Sequence, residues 1–478
     1  MNGPILRLFV FVLVLFGLLL GFTSRWTVFE AASLRNNPLN RRGLLEQQTI
    51  DRGRILAADG TVLARSQRSS DRTYHRRYPA GGLFAHAIGY SYVNIGSSGL
   101  EHSANDFLDG TTTSGVGSLL DQLQGRRRQG DDVVTTLSPK GQRAALAALA
   151  GRKGAIVALD PRNGAVRVMA SEPGFDPNVL SSSATFSALA NAQGTEPLVN
   201  RATQFGYAPG STFKVVTATA AIDSGRYTSQ SSVDGPDNVP ISGVPLQNDN
   251  NQSFGSISLA DALAQSVNTV YAQVAVGVGR ATMRRYMDRF GFDRVPPLDY
   301  PHSQMTASGE YRRGTLLSPT SDLVDVGRMG IGQDKLQVTP LQMVQVAAAV
   351  ANHGKLMVPH LTDRVRDHDG RTVSVVAPRV QSTVMKGSTA DALTSMMEGV
   401  VTNGTGTAAQ IPGTQVAGKT GTAETQIGNT INNVWFIAFA PANNPRIAVA
   451  VTLQGVPGFA GATAAPVARQ VIQSLLNG

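Results

Sequence analysis

Residues 154 to 478 show strand patterns at both ends and helical patterns between them, and this order narrows the available folds more than any other feature of the chain. AIVALDPRNGAVRVMAS, residues 155 to 171, gives two alternating apolar strands joined at Asp160 to Gly164, a hairpin signal. Helical spacing follows at 211–223, 258–276, 280–290 and 339–353. Strands return at about 413–419, 434–440 and 446–453, the last two joined by a PANNP turn, and a closing helix begins near Ala464. The order predicts an α+β domain, its sheet assembled from both ends and flanked by helices.

The character changes near Gly154. Residues 26 to 150 are polar and rich in Arg, Gly and Ser. ILAADGTVLA, 55 to 64, predicts two short strands about an Asp-Gly turn, and GLEHSANDFLDG, 99 to 110, a short amphipathic helix with a glycine stop. This part reads as a pedestal or partner-binding domain. Ahead of it, Leu8 to Phe22 is an unbroken run of fifteen apolar residues, which fits a membrane span or the core of a signal peptide. TSRW follows directly, no small-x-small cleavage site adjoins the run, and Ala31-Ala32-Ser33 lies too far downstream. Trp26 suits a membrane interface, and Arg7 with the terminal amine favours a cytoplasmic N-terminus. The expected organisation is an uncleaved anchor over 1–25, a pedestal over 26–150 and a larger domain over 151–478. The last two would then face the outside of an inner membrane.

Composition excludes some chemistries. The 478 residues contain no Cys, so disulfides, thiol nucleophiles and thiolate metal sites are ruled out. The seven His show no HExxH-like spacing, so no metal is expected. A net charge of +9 comes from scattered residues with one short run at Arg126 to Arg128, which reads as a solvated basic face or attraction to an anionic envelope rather than nucleic-acid binding.

Within YAPGSTFKVVTATAAID, 207 to 223, Pro209-Gly210 is a turn signal, Ser211 is a helix-starting residue, and Lys214 lies one turn further on. A serine hydroxyl needs a base to become a nucleophile, and a lysine serves only where burial or neighbouring cations lower its pKa. With seven lysines against thirty-five arginines, the chain normally supplies positive charge as Arg, which does not deprotonate. Lysine here points to titration. Two further stretches go with the pair: SVN, Ser266 to Asn268, on a helical pattern, and KTGT, Lys419 to Thr422, on a strand pattern.

S-x-x-K, S-D-N and K-T-G in this order form the signature set of class A β-lactamases and penicillin-binding proteins, and here the middle motif reads SVN. The chain resembles a class B penicillin-binding protein, a membrane-anchored peptidoglycan D,D-transpeptidase, and among these the actinobacterial members. RGRILAADGTVLA (52 to 64) and GLEHSANDFLDG are similar to the family's N-terminal module. GAIVALDPRNGAVRVMASEPGFDPN (154 to 178), NRATQFGYAPGSTFK (200 to 214) and GQDKLQVTPLQM (332 to 343) are similar to its transpeptidase domain. The resemblance implies a β-lactamase/transpeptidase-like sheet flanked by helices, with no cofactor. It further implies a serine acyl-enzyme, with Ser211 attacking the peptide bond between two terminal D-alanines, Lys214 taking its proton and Ser266 passing a proton to the leaving amine. Asn268 would bind the acyl-side amide, Lys419 would lend positive potential, Thr420 and Thr422 would hold the substrate carboxylate, and the Ser211 and Thr422 N–H groups would form the oxyanion hole. Gly421 completes the KTGT substrate-binding segment. Implied partners are donor and acceptor stem peptides, β-lactams as covalent inhibitors, and cell-wall synthesis or division proteins. Lys214 would have to be neutral and Lys419 charged.

Three other readings compete with this one. GTQVAGKT, 413 to 420, matches the phosphate-binding pattern G-x-x-x-x-G-K-[ST], which requires a helix after it; GTAETQIGNTINNVW follows instead. A β-lactamase or β-lactam sensor of the same fold needs a glutamate to activate water, and between Asn268 and Lys419 only Glu310 and Glu398 are available, neither in an E-x-x-L-N context. A non-catalytic cell-wall scaffold would tolerate loss of Ser211, Lys214, Ser266 and Lys419, yet all four are present.

Overall fold

The structure, a computed structural model, describes residues 3–25, 48–111, 129–424 and 431–477. Trp26, Ala31 to Ser33 and Arg126 to Arg128 lie outside these residues. Helix α1, Gly3–Ser24, has 22 residues, long and apolar enough to cross a membrane, and extends the fifteen-residue run through Arg7 at one end and Thr23 at the other. At 1.5 Å per residue it reaches about 33 Å, a full hydrocarbon thickness.

The pedestal is built on β1 (Ile55–Leu56), β2 (Val62–Arg68), β3 (Tyr74–Arg77) and β4 (Asp132–Thr135). The expected Asp59-Gly60 turn joins β1 to β2, with Asp59 Oδ1 accepting from Thr61 N. The predicted helix over 99–110 is two short helices, Gly99–Ser103 and Asn105–Leu108, ending at Gly110 with φ of 69°. Glu101, fully buried, accepts from Arg52 at 3.0 Å and Arg76 at 2.6 Å, and the two guanidiniums hold its carboxyl below the usual range against the opposing effect of burial.

Helix α2, Pro139–Leu149, starts on a Ser138 cap with proline at its first turn. Sequence periodicity missed it because Pro139 and Gly141 read as breakers. Gly141 is where the closing helix crosses: a Cβ there would stand 2.5 Å from Leu475.

The central sheet is formed by β5 (Gly154–Leu159) and β6 (Val166–Glu172) with three strands from the other end of the chain, introduced below. Between them come α3 (Lys214–Asp223), α4 (Leu259–Ala264), α5 (Asn268–Val278), α6 (Arg280–Phe290) and α7 (Pro340–Ala351). The hairpin β7 (Thr362–Arg366) and β8 (Thr372–Val375) then reaches into the pedestal, giving a six-stranded sheet of order β8-β7-β4-β1-β2-β3. Helix α8 (Gly387–Thr402) precedes β9 (Ala417–Glu424), β10 (Ile431–Ala440) and β11 (Ile447–Pro457), and α9 (Ala460–Leu476) closes the chain. The sheet is antiparallel throughout, of order β9-β10-β11-β5-β6, so its two ends meet where β11 pairs with β5.

Both faces of this sheet are covered, which explains the near-continuous apolar runs in its strands. From β10, Trp435, Ile437 and Phe439 enter one core with α3, α5 and α7; Val434, Phe436 and Ala438 enter the other with α2 and α9. All twelve residues of α7 are buried, so it has no polar face to reveal an amphipathic period. Burial of side chains this size contributes about 1.5–3 kcal/mol each before chain entropy is set against it.

Candidate active site

Ser211 lies in a 3-10 turn, Gly210–Phe213, and α3 begins at Lys214. The sequence suggested that Ser211 caps the helix, but its side chain makes no capping bond and the hydroxyl is left for other use. The turn is held from three sides. Tyr207 exchanges both backbone bonds with Val338, at 3.0 and 2.8 Å; Gly210 N donates to Gly332 O at 3.0 Å; and Trp435 Nε1 donates to Ala208 O at 2.9 Å. The third contact comes from β10, and its neighbour β9, the edge strand of the sheet, also meets the turn. A Cβ on Gly421 would stand 2.6 Å from Pro209 O, and one on Gly210, whose φ is 52°, would stand 2.5 Å from Thr422 O. Glycine at these two positions lets the strand and the serine turn approach closely.

The expected continuous helix over 258–276 is interrupted. Helix α4 ends at Ala264, α5 starts at Asn268, and Ser266 sits between them with φ of 59°. Ser266 is therefore on a left-handed kink rather than a helical stretch, a strained placement typical of functional positions. The kink lets its hydroxyl meet two lysines. Lys214 Nζ donates to Ser266 O at 2.5 Å, to Asn268 Oδ1 at 2.7 Å and to Ser266 Oγ at 3.3 Å. Lys419 Nζ donates to Ser266 Oγ at 2.9 Å, Thr420 O at 3.1 Å and Thr420 Oγ1 at 3.3 Å. Thr420 Oγ1 also shares a 2.6 Å bond with Thr405, and Thr422 Oγ1 accepts from Ala460 N at 3.4 Å. Lys214, Ser266, Asn268, Lys419 and Thr420 thus form one bonded cluster, with Ser211, Gly421 and Thr422 at the adjoining turn and strand.

Both lysines are fully buried. Burial pulls Lys214 down to about 7 against the opposing charge of Asp249. Lys419 is driven well below the ordinary lysine value by burial and then by the Lys214 charge, again opposed by Asp249. This differs from the expectation of a neutral Lys214 beside a charged Lys419. In the free protein, Lys214 has the shorter contacts, to a carbonyl and an amide oxygen, and these favour the proton there.

Asn248 and Asp249 belong to the site and were not singled out from sequence. The polar run QNDNNQ reads as an ordinary loop; only folding places it against the start of α5, where Asn248 Oδ1 accepts from Thr269 N at 3.0 Å. The 413–420 match to a phosphate loop leads into strand β9, so the helix such a loop needs is replaced by sheet. Glu310 is buried, raised to about 8 by desolvation, and accepts from Lys335 N; Glu398 lies on α8. Among the described residues, neither hydrogen-bonds a member of the cluster.

Residues 154–473 match the penicillin binding protein transpeptidase domain, and residues 52–133 the penicillin binding protein A dimerisation domain. The chain is 34% identical to peptidoglycan D,D-transpeptidase PbpA of Mycolicibacterium smegmatis, over 100% of this chain and 99% of that protein. Penicillin-binding protein A of M. tuberculosis, solved as a ceftriaxone acyl-enzyme complex, superposes with a TM-score of 0.81 at 32% identity, covering 91% of this chain and 100% of that one. The D,D-transpeptidase domain of a peptidoglycan glycosyltransferase from Eggerthella lenta gives 0.78 at 34% identity, over 90% and 99%. With its serine turn, kinked Ser-x-Asn and Lys-Thr-Gly strand in one cluster, the chain belongs to the penicillin-binding protein transpeptidase family.

Proposed function

We propose that the protein is a peptidoglycan D,D-transpeptidase working through a Ser211 acyl-enzyme. The observation that carries this reading is the buried chain Lys214–Ser266–Lys419 beside the serine turn. Ser211 Oγ attacks the carbonyl of the penultimate D-alanine, and its proton passes to Lys214. The developing oxyanion lies between the Ser211 and Thr422 N–H groups. As the bond to the terminal D-alanine breaks, Ser266 Oγ hands a proton to the leaving amine and is reprotonated from Lys214. The amine of a second stem peptide then attacks the ester; its proton passes by way of Lys214 to Ser211 Oγ as the ester bond breaks, which frees Ser211 and leaves a new crosslink.

The substrate carboxylate, held by Thr420, Thr422 and Lys419, also prepares the base. A negative charge beside Lys419 stabilises a proton there, and a charged Lys419 disfavours one on Lys214. Binding thus moves the charge from Lys214 to Lys419 and leaves the base neutral. Asn268 binds the acyl-side amide. Edge strand β9 offers unpaired backbone groups to an extended peptide.

We read residues 1–25 as the anchor of a single-pass inner-membrane protein, 26–150 as the pedestal and 151–478 as the extracytoplasmic transpeptidase domain, with cell-wall synthesis or division proteins as partners. The test is covalent. Labelled penicillin should add to the wild type by mass spectrometry, and Ser211→Ala should not label. Equal labelling of the variant would refute the mechanism. The adduct should persist, since among the described residues no glutamate lies in the cluster to activate water; loss within seconds would favour a β-lactamase.

A further inference from the structure

We propose that Asp249 is a positioning residue of the acylation site: its carboxylate holds the Asn268 amide in the orientation that faces Lys214, and its charge retains a proton on the lysine pair of the free enzyme. The inference rests on the acyl-transfer reading above. Asn268 Nδ2 donates to Gln247 O at 3.1 Å and to Asp249 Oδ1 at 3.3 Å. With two acceptors on that side, the amide must present its NH2 group there, which leaves Oδ1 toward Lys214 Nζ at 2.7 Å. Without them the amide could turn over and set a donor against the ammonium.

The loop is built to keep Asp249 in place. Its neighbour Asn248, 4% exposed, donates to Gln252 O at 3.0 Å and Gly235 O at 3.3 Å, and accepts from Thr269 N at 3.0 Å and Thr269 Oγ1 at 3.1 Å. The Asn248 N–H donates to Asp237 Oδ1 at 2.7 Å. Asn250 and Asn251 adopt left-handed φ values of 56° and 54°, which asparagine tolerates better than most residues. These contacts pin the loop to the first turn of α5, where Asn268 begins the helix. Asp249 is exposed at the rim. The groups facing Lys214 are Asp249, Lys419 and the ring of Tyr271, 6.0 Å from Nζ to its centroid, whose phenol burial keeps un-ionised. Among the described residues, Asp249 is the carboxylate whose charge bears on both lysines.

The experiment is the rate of penicillin acylation of the full chain as a function of pH, for wild type and three variants. Asp249→Asn keeps an oxygen acceptor for Asn268 and removes only the charge. Its acid limb should move to lower pH by roughly half a unit or more, because the lysines then lose their proton more easily. Asp249→Ala also loses the acceptor, and its plateau rate should fall about tenfold. Asp249→Glu should retain the wild-type limb. An Asp249→Asn limb superimposable on wild type overturns the proposal, even with a reduced plateau, since a purely structural residue would give that result. So does a melting temperature more than about 5 °C below wild type for this exposed substitution, which would assign the residue to the fold. Failure of the wild type to form any adduct would instead overturn the acyl-transfer reading.

Discussion

At the scale of single residues, the mechanism proposed above turns on a base, Lys214, that is only conditionally a base. Lys214, lowered to about 7, is protonated at acid pH and cannot accept from Ser211; it becomes competent as pH rises through that value. The acylation rate should therefore climb with pH through an acid limb near 7. Lys214→Arg, charged at every accessible pH, should lose roughly 10²–10⁴ of the rate and flatten the limb. Stopped-flow or gel-based penicillin acylation across the neutral range checks both. The scarcity of lysine made this residue conspicuous in the sequence, and KTGT and SVN gave it partners. Which lysine holds the proton was not legible, because that depends on carbonyl and amide oxygens brought in by the Ser266 kink and on Asp249, all remote from Lys214 in sequence.

At the scale of elements, the approach of β9 to the serine turn is set by glycine. Gly421→Ala would place a methyl 2.6 Å from Pro209 O and 2.8 Å from Thr212 Cγ2, and the backbone oxygen has no flexible way to yield. Displacing the strand moves the Thr422 N–H away from the proposed oxyanion position. Acylation should fall by about 10², with a stability loss of about 1–3 kcal/mol from overpacking, read by penicillin kinetics and urea unfolding. The central strands were readable because their apolar runs and turn residues are local. Helix α8 was not: GSTADALTSMMEGVVT mixes small, β-branched and glycine residues, lacks a side-chain cap, and is helical because Leu393, Met396, Met397 and Val400 find a core. The break at Ser266 was equally hidden, since LADALAQSVNTVYAQVA keeps a helical rhythm through the kink.

At the scale of the molecule, sequence order and spatial grouping part company. The hairpin β7–β8 lies far downstream of the pedestal yet extends its sheet, with Thr362 to Arg366 paired along Thr135 to Asp132. A fragment of residues 151–478 would expose β7 without β4 as an unpaired edge. It should melt about 5 °C or more below a chain lacking only residues 1–25, or aggregate; differential scanning calorimetry distinguishes the two. No local pattern announces such a pairing, because its strands are separated by nearly half of the chain. The contact between Trp435 and Ala208 O has an optical counterpart. The chain has only two tryptophans, and this one is buried with its indole N–H on the carbonyl three residues before Ser211. Indole emission responds to the bond its N–H makes, so a version of the protein without Trp26 holds a single tryptophan wired to the serine turn, and with excitation selective for indole the occupancy of that turn becomes something that can be watched in real time without a label.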